Sequence, residues 1–229
     1  GEYTNKNASQ DNANPRIVHW GININRTQST VSNVTITDTP SENQTFLKDT
    51  FQLFATEVSS NSIEKGELLE EGVDYTLEFI EDEDGIETFI LEFTEEQISR
   101  AYILNYDTYI LYKGDSRVRN NATFNGDETE GLDTNTNIEQ YVELSGYGAG
   151  IEGDVGSLQV LKVDAASQEP LAGAEFTLYD ESGETALRTY TTGEDGIVTF
   201  KNLLYGNYLL KETGVPEGYV TGIENELHV

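Results

Sequence analysis

Two carboxylates and one carboxamide sit on the apolar side of strand-like runs, where ionic and amide groups are costly unless paired. Val34-Thr-Ile36-Thr-Asp38 alternates with period two, so Asp38 shares a face with Val34 and Ile36. By the same parity Asn120 shares a face with Val118, Ala122 and Phe124, and Glu212 with Tyr208 and Leu210. Lys162 falls on the face of Leu158 and Val160, although Leu161 and Val163 hold the opposite face and leave its direction open. One account is plain: strand-end residues that curl into solvent, or ordinary buried ion pairs. The other is chemical. An apolar core lowers the pKa of a lysine and raises that of a carboxylic acid, which favours the neutral forms. A neutral amine can attack an asparagine side-chain carbonyl and expel ammonia, while a neutral acid hydrogen-bonds that carbonyl and shuttles protons. The product is an intramolecular isopeptide bond. It requires a lysine, an asparagine or aspartate, and an acid on neighbouring strands.

The elements that must position these groups are strands. Val18, Trp20, Ile22 and Ile24 alternate with polar or small residues, and similar runs occupy 34–38, 51–54, 88–93, 102–112, 118–124 and 141–144. Turn chemistry separates them at Asp38-Thr-Pro-Ser41, Glu83-Asp-Gly85 and Lys113-Gly-Asp115. Thr94-Glu-Glu-Gln97 has capping-box spacing and predicts one short helical turn before Ile98. Many short strands without alternating helices predict an all-β, antiparallel sandwich. A glycine-rich stretch at 146–157 marks a boundary, giving domains at 1–150 and 151–229. The second domain's strands are expected near 158–164, 173–179, 186–192, 196–200, 206–213 and 224–229.

Composition removes several functions. The 229 residues carry 42 acidic and 13 basic side chains, a net charge of −29, which repels phosphate backbones and anionic lipid. Nucleic-acid binding and electrostatic membrane docking are therefore not expected. No apolar run is long enough to insert into a membrane, and no signal peptide opens the sequence. Zero cysteines exclude disulfides, zinc-thiolate sites and cysteine nucleophiles. His19 and His228 are the only histidines, so most nucleophile–base arrangements of a turnover enzyme are unavailable. The acid runs Glu81-Asp-Glu-Asp84 and Asp127-Glu-Thr-Glu130 lie beside glycine in turns and read as solvated rather than as a glycosidase pair. Asp133, Asn135 and Asn137 have calcium-loop spacing, but no glycine stands at the sixth position and Leu144 replaces the glutamate at the twelfth. No metal and no cofactor are expected. Asn121-Ala-Thr123 fits a glycosylation sequon, which by itself marks only a polar surface segment.

Tyr208-Leu-Leu-Lys-Glu212-Thr-Gly-Val-Pro216-Glu-Gly218-Tyr219 closely resembles the E-box of B-type repeats in Gram-positive surface adhesins and pilins. It departs from that pattern only at Val215. Val160 to Asp164, Pro170 to Leu178 and Glu194-Asp-Gly196 extend the likeness over most of residues 157–229. The first domain resembles the collagen-binding-type domain of Gram-positive collagen adhesins through His19-Trp20-Gly-Ile-Asn-Ile-Asn25, Val34 to Asp38, Ile110-Leu-Tyr112, Arg119-Asn-Asn-Ala122 and Ala149 to Gly153. The resemblance implies a DE-variant immunoglobulin-like sandwich followed by a smaller prealbumin-like sandwich of the B type.

Site residues carry over one at a time. The family's lysine stands fourteen residues before the tryptophan, which is Lys6, and the acid and asparagine match Asp38 and Asn120. In the B-type domain Lys162 and Glu212 match the lysine and the acid. That domain's partner asparagine belongs to a final strand that the sequence is expected to lack, since Asn225 lies too early. The implied function is that of a cell-wall-anchored adhesin binding a host extracellular-matrix protein such as collagen.

 The chain itself is expected to be a monomer. Two positions where collagen-binding relatives carry aromatics hold Asn5 and Gly21, which leaves another host ligand open. The alternative is a pilus-tip or stalk subunit without direct collagen binding. A shaft pilin is disfavoured, because Tyr112-Lys113-Gly114-Asp115 lacks the proline and asparagine of the polymerisation motif.

Overall fold

The computed structural model describes residues 4–59, 62–128, 136–144, 151–220 and 226–229. Glu130, Asp133, Asn135 and Asn225 lie outside them, as does the side chain of Asn5. The chain divides into two compact units, Gly1–Gly150 and Ile151–Val229. All regular structure among the described residues is β.

The first unit contains β1 (Thr4–Gln10), β2 (Ile17–Ile24), β3 (Val31–Pro40), β4 (Gln44–Ser59), β5 (Ser62–Leu68), β6 (Tyr75–Glu81), β7 (Glu87–Phe93), β8 (Gln97–Ile98), β9 (Tyr102–Ile110), β10 (Arg117–Glu128) and β11 (Thr136–Glu143). They form two antiparallel sheets, ordered β1-β2-β9-β4-β5 and β11-β10-β3-β7-β6, with β8 paired to β3. Period-two alternation turns Val18, Trp20, Ile22 and Ile24 of β2 inward, together with Tyr102, Leu104 and Tyr106 of β9. From the other sheet come Val34, Ile36, Phe89, Leu91, Val118 and Phe124. Phe51 stacks on Tyr106 at 4.8 Å between centroids, and Phe46 and Phe89 meet Tyr106 edge-on at 5.8 and 5.2 Å. The Tyr106 hydroxyl is thereby fixed in a dry interior.

Two local expectations fail. Thr94 to Glu96 form a bend rather than a helical turn, and the next two residues enter β8, where Ile98 pairs with Val31. Three capping residues offer too few hydrogen bonds to nucleate a helix against that pairing and the burial of Ile98. Asp38 to Pro40 belong to β3 rather than to a turn. Pro40 pairs with Asn120 at the strand's end, where its missing N–H costs little.

The second unit contains β12 (Val155–Leu161), β13 (Glu175–Tyr179), β14 (Ala186–Thr191), β15 (Ile197–Leu204), β16 (Leu209–Gly214) and β17 (Glu226–His228). Its sheets are β12-β15 and β14-β13-β16-β17. Ala174, Phe176, Leu178, Val198, Phe200, Leu203 and Leu210 form the core, with Leu158 and Val160 packed against it. β12 begins inside the glycine-rich stretch and ends one residue before Lys162. Past that end the Lys162 N–H still donates to the Gly196 carbonyl at 2.8 Å. Gly196 has φ +70°, and a Cβ there would stand 2.5 Å from the Lys162 carbonyl oxygen, so a side chain would push this segment away.

Candidate functional site

β1 is almost wholly polar, Thr-Asn-Lys-Asn-Ala-Ser-Gln, and is held as an edge strand by its ladder to β2, with Lys6 opposite Ile22. Strand parity sends the Lys6 side chain inward, where its ammonium lies 5.1 Å from the Trp20 ring centroid and 5.8 Å from that of Tyr106. Asp38 and Asn120 come from the opposing sheet. Asp38 pairs with Ala122 and Asn120 with Pro40, so the two side chains are near neighbours on one inner face.

The groups form one continuous chain. Lys6 Nζ donates to Asp38 Oδ2 at 2.8 Å, and both side chains are fully buried. The Tyr106 hydroxyl donates to the same Asp38 oxygen and accepts from Asn120 Nδ2 at 2.9 Å. On the far side Asn120 Oδ1 accepts from Gln44 Nε2 at 2.9 Å. Gln44 Oε1 accepts from Thr108 Oγ1 at 2.7 Å, and Thr108 Oγ1 accepts from Trp20 Nε1 at 2.8 Å. Asp38 Oδ1 is buried without a hydrogen-bond partner.

Burial outweighs ion pairing in this cluster. Desolvation lowers the Lys6 pKa against the pull of Asp38, and raises that of Asp38 against Lys6 and Tyr106. Burial, reinforced by the Asp38 charge, pushes the Tyr106 hydroxyl well above its ordinary value, so it stays protonated. An amine biased toward its free base thus shares a dry site with a carboxyl biased toward its acid and a carboxamide polarised by an N–H donor. That arrangement can support attack of nitrogen on an amide carbon.

The second lysine–acid pair is looser. Lys162 Nζ lies 3.1 Å from Glu212 Oε2, with 28% and 13% of the side chains exposed, and Glu212 Oε1 has no hydrogen-bond partner. Among the described residues no carboxamide bonds to either group. Tyr219, which closes the Tyr208–Tyr219 segment, donates instead to Asp164 Oδ2 at 2.7 Å.

A groove of about 540 Å³ lies over the outer face of β1, β2, β9 and β4. Asn7, Gly21, Asn105 and Gln52 stand in register across these four strands. Asn7 lies over Gly21, where a Cβ would meet its Oδ1 at 2.7 Å, so glycine is what lets this amide lie flat. In the next row His19 bridges Asp11 and Asp107 at 2.8 and 2.7 Å.

Residues 1–135 match the family model described as "Collagen binding domain". The chain belongs to this collagen-binding domain family. Residues 156–228 match a second model, "Prealbumin-like fold domain". The collagen adhesin of Staphylococcus aureus is 28% identical over 137 residues, covering 55% of this chain and 11% of that protein. A wall-associated protein of Streptococcus mutans is 42% identical over 45 residues, 20% of this chain and 10% of that protein. The chain therefore spans about a tenth of the length of these curated relatives. Among solved structures, the collagen-binding subdomain ACE19 of the Enterococcus faecalis surface protein ACE matches with a TM-score of 0.50 at 15% identity, over 62% of this chain and 97% of that one. The two sandwiches are those that the sequence resemblance implies, immunoglobulin-like in the first unit and smaller and prealbumin-like in the second.

The structure brings Lys6, Asp38 and Asn120 into one cluster, and Lys162 and Glu212 into a separate pair. Tyr106, Gln44, Thr108 and Trp20 are additional members that sequence reasoning did not single out. Parity on β9 could have flagged the first, since Tyr106 and Thr108 follow Tyr102 and Leu104 on the inward face. Gln44 has no such signal, being the first residue of its strand.

Proposed function

We propose that the chain is part of a cell-wall-anchored surface adhesin of a Gram-positive bacterium. It binds a host extracellular-matrix protein of the collagen kind, and its first unit is stapled by a self-formed bond between Lys6 and Asn120. The observation that carries the staple is the fully buried lysine–aspartate contact, joined through Tyr106 to the asparagine carboxamide. Lys6 Nζ attacks Asn120 Cγ, the new C–N bond replaces Cγ–Nδ2, and Nδ2 leaves as ammonia. Asp38, as the neutral acid, gives its proton toward the leaving nitrogen and then takes the one that Nζ loses. Each chain reacts once, so the protein is not a turnover enzyme. In the second unit Glu212 is the corresponding acid beside Lys162, and this pair reacts only when a partner asparagine is supplied.

The bond joins β1 of one sheet to β10 of the other and closes a loop of about 115 residues, from position 6 to position 120. Loop entropy then gives a stabilisation of roughly 5 kcal/mol, by analogy with a disulfide. With no cysteine in the chain, this is a covalent staple that reductants cannot open.

Matrix binding is supported by the collagen-binding family match over residues 1–135. We assign the ligand to the amide-lined groove on the outer face of β1, β2, β9 and β4. A stalk or pilus-tip role is the second reading, favoured by the prealbumin-like match over residues 156–228. Binding of the chain to immobilised collagens, alone and extended upstream, separates the two. Weakening of that binding by Asn105→Arg, with the loss of one ammonia retained, supports the groove. Absence of binding in both forms removes the collagen reading. The staple is tested separately, by loss of one ammonia in the intact mass.

A further inference from the structure

Asn120 Oδ1, the oxygen on which negative charge must gather during attack, is held by a side-chain N–H rather than by the acid. Gln44 Nε2 lies 2.9 Å from it, and the same nitrogen donates to the Arg119 carbonyl at 2.8 Å and is 3.1 Å from Ser41 Oγ. The Gln44 side chain is fixed at its other end by Thr108, which is fixed in turn by Trp20. Its residue is 1% exposed. A buried donor with both ends held needs little reorganisation when charge develops, which is the requirement for transition-state stabilisation.

The leaving nitrogen is placed as specifically. Asn120 Nδ2 makes no hydrogen bond to Asp38; the Tyr106 hydroxyl is bonded to both. A proton from Asp38 therefore reaches Nδ2 through Tyr106. We propose that Gln44 and Tyr106 are catalytic residues of the isopeptide reaction, Gln44 as oxyanion donor and Tyr106 as proton relay to the departing ammonia.

The proposal rests on the Lys6–Asn120 bond and adds its mechanism. Nζ of neutral Lys6 attacks Cγ, and the carbonyl electron pair moves to Oδ1, which Gln44 Nε2–H stabilises. The hydroxyl of Tyr106 turns, giving its proton to Nδ2, now pyramidal, and taking one from the neutral acid Asp38; Asp38, left as the carboxylate, then accepts the proton that Nζ loses. Oδ1 re-forms the carbonyl, the Cγ–Nδ2 bond breaks with its electron pair going to nitrogen, and ammonia leaves. Tyr106 ends as a neutral hydroxyl, consistent with burial holding it protonated.

Cell-free synthesis of the full chain, quenched in acid at intervals and followed by intact mass, reads the rate of ammonia loss. The rate is taken on the protease-resistant fraction, so that only folded chains count. Gln44→Met removes the donor and should slow the reaction about 100- to 1,000-fold. Tyr106→Phe removes only the hydroxyl and should slow it about 100-fold or more. Gln44→Glu supplies a donor only when its carboxyl is protonated, so its rate should recover as pH falls; a purely structural role for Gln44 gives no such recovery. Ammonia loss in these variants at the rate of the unaltered chain overturns the proposal and leaves the bond standing. Failure of the unaltered chain to lose ammonia overturns the bond itself.

Discussion

The two units each place a lysine against a carboxylate, and they differ in what surrounds the pair. Lys6 and Asp38 have fully buried side chains, lie in facing sheets, and connect through Tyr106 to a carboxamide. Lys162 and Glu212 are 28% and 13% exposed and meet no carboxamide among the described residues. Contact alone is common to both. Burial and a polarised third group distinguish the first, because desolvation is what drives amine and acid toward their neutral forms.

The comparison breaks most severely at Lys6. Lys6→Ala or Asp38→Ala should abolish the single ammonia loss and remove the staple's roughly 5 kcal/mol. Intact mass and chemical denaturation report the two effects on the same sample. An unlinked mass in the unaltered chain would erase the distinction between the units, and a second ammonia loss would place Lys162 in the same class as Lys6.

At the other pair the effect should be several-fold smaller. Lys162→Met removes a partly exposed ion pair, for which the expected loss is about 0–1 kcal/mol. Denaturant titration of the full chain tests this through the transition that includes the second unit. A loss as large as that of Lys6→Ala would show that exposure is a poor guide to the difference.

The route from sequence to site was uneven for physical reasons. Asp38 and Asn120 were legible because each interrupts an apolar row on an otherwise regular strand, and a two-residue period reveals the intruder. Lys6 was not legible in that way. β1 contains no apolar run, and its strand character comes from pairing with β2, so only family resemblance located the lysine. Gln44 and Tyr106 act through single polar atoms in three dimensions, on strands remote in sequence from Asn120. The bend at 94–96 shows the converse limit, where local capping chemistry yields to burial of Ile98.

The smallest effect belongs to a histidine between two carboxylates, neither stapled nor sequestered, and it sets the lower end of the same scale. Both ring nitrogens of His19 face carboxylates, Nε2 toward Asp11 and Nδ1 toward Asp107, an arrangement that the doubly protonated ring satisfies. The hydrogen bond to Asp11, followed by that to Asp107, raises the His19 pKa above its ordinary 6.5 against the opposing effect of burial. Because the folded value is the higher one, the contribution is fully present below about pH 6.5 and is lost as pH rises through the raised value. With 47% of the side chain exposed, solvent screening keeps it under about 1 kcal/mol. Melting His19→Gln beside the unaltered chain should therefore show a small deficit at pH 5.5 that closes by about pH 8.5. A deficit that persists at alkaline pH would mean that His19 stabilises the fold by packing and not by charge.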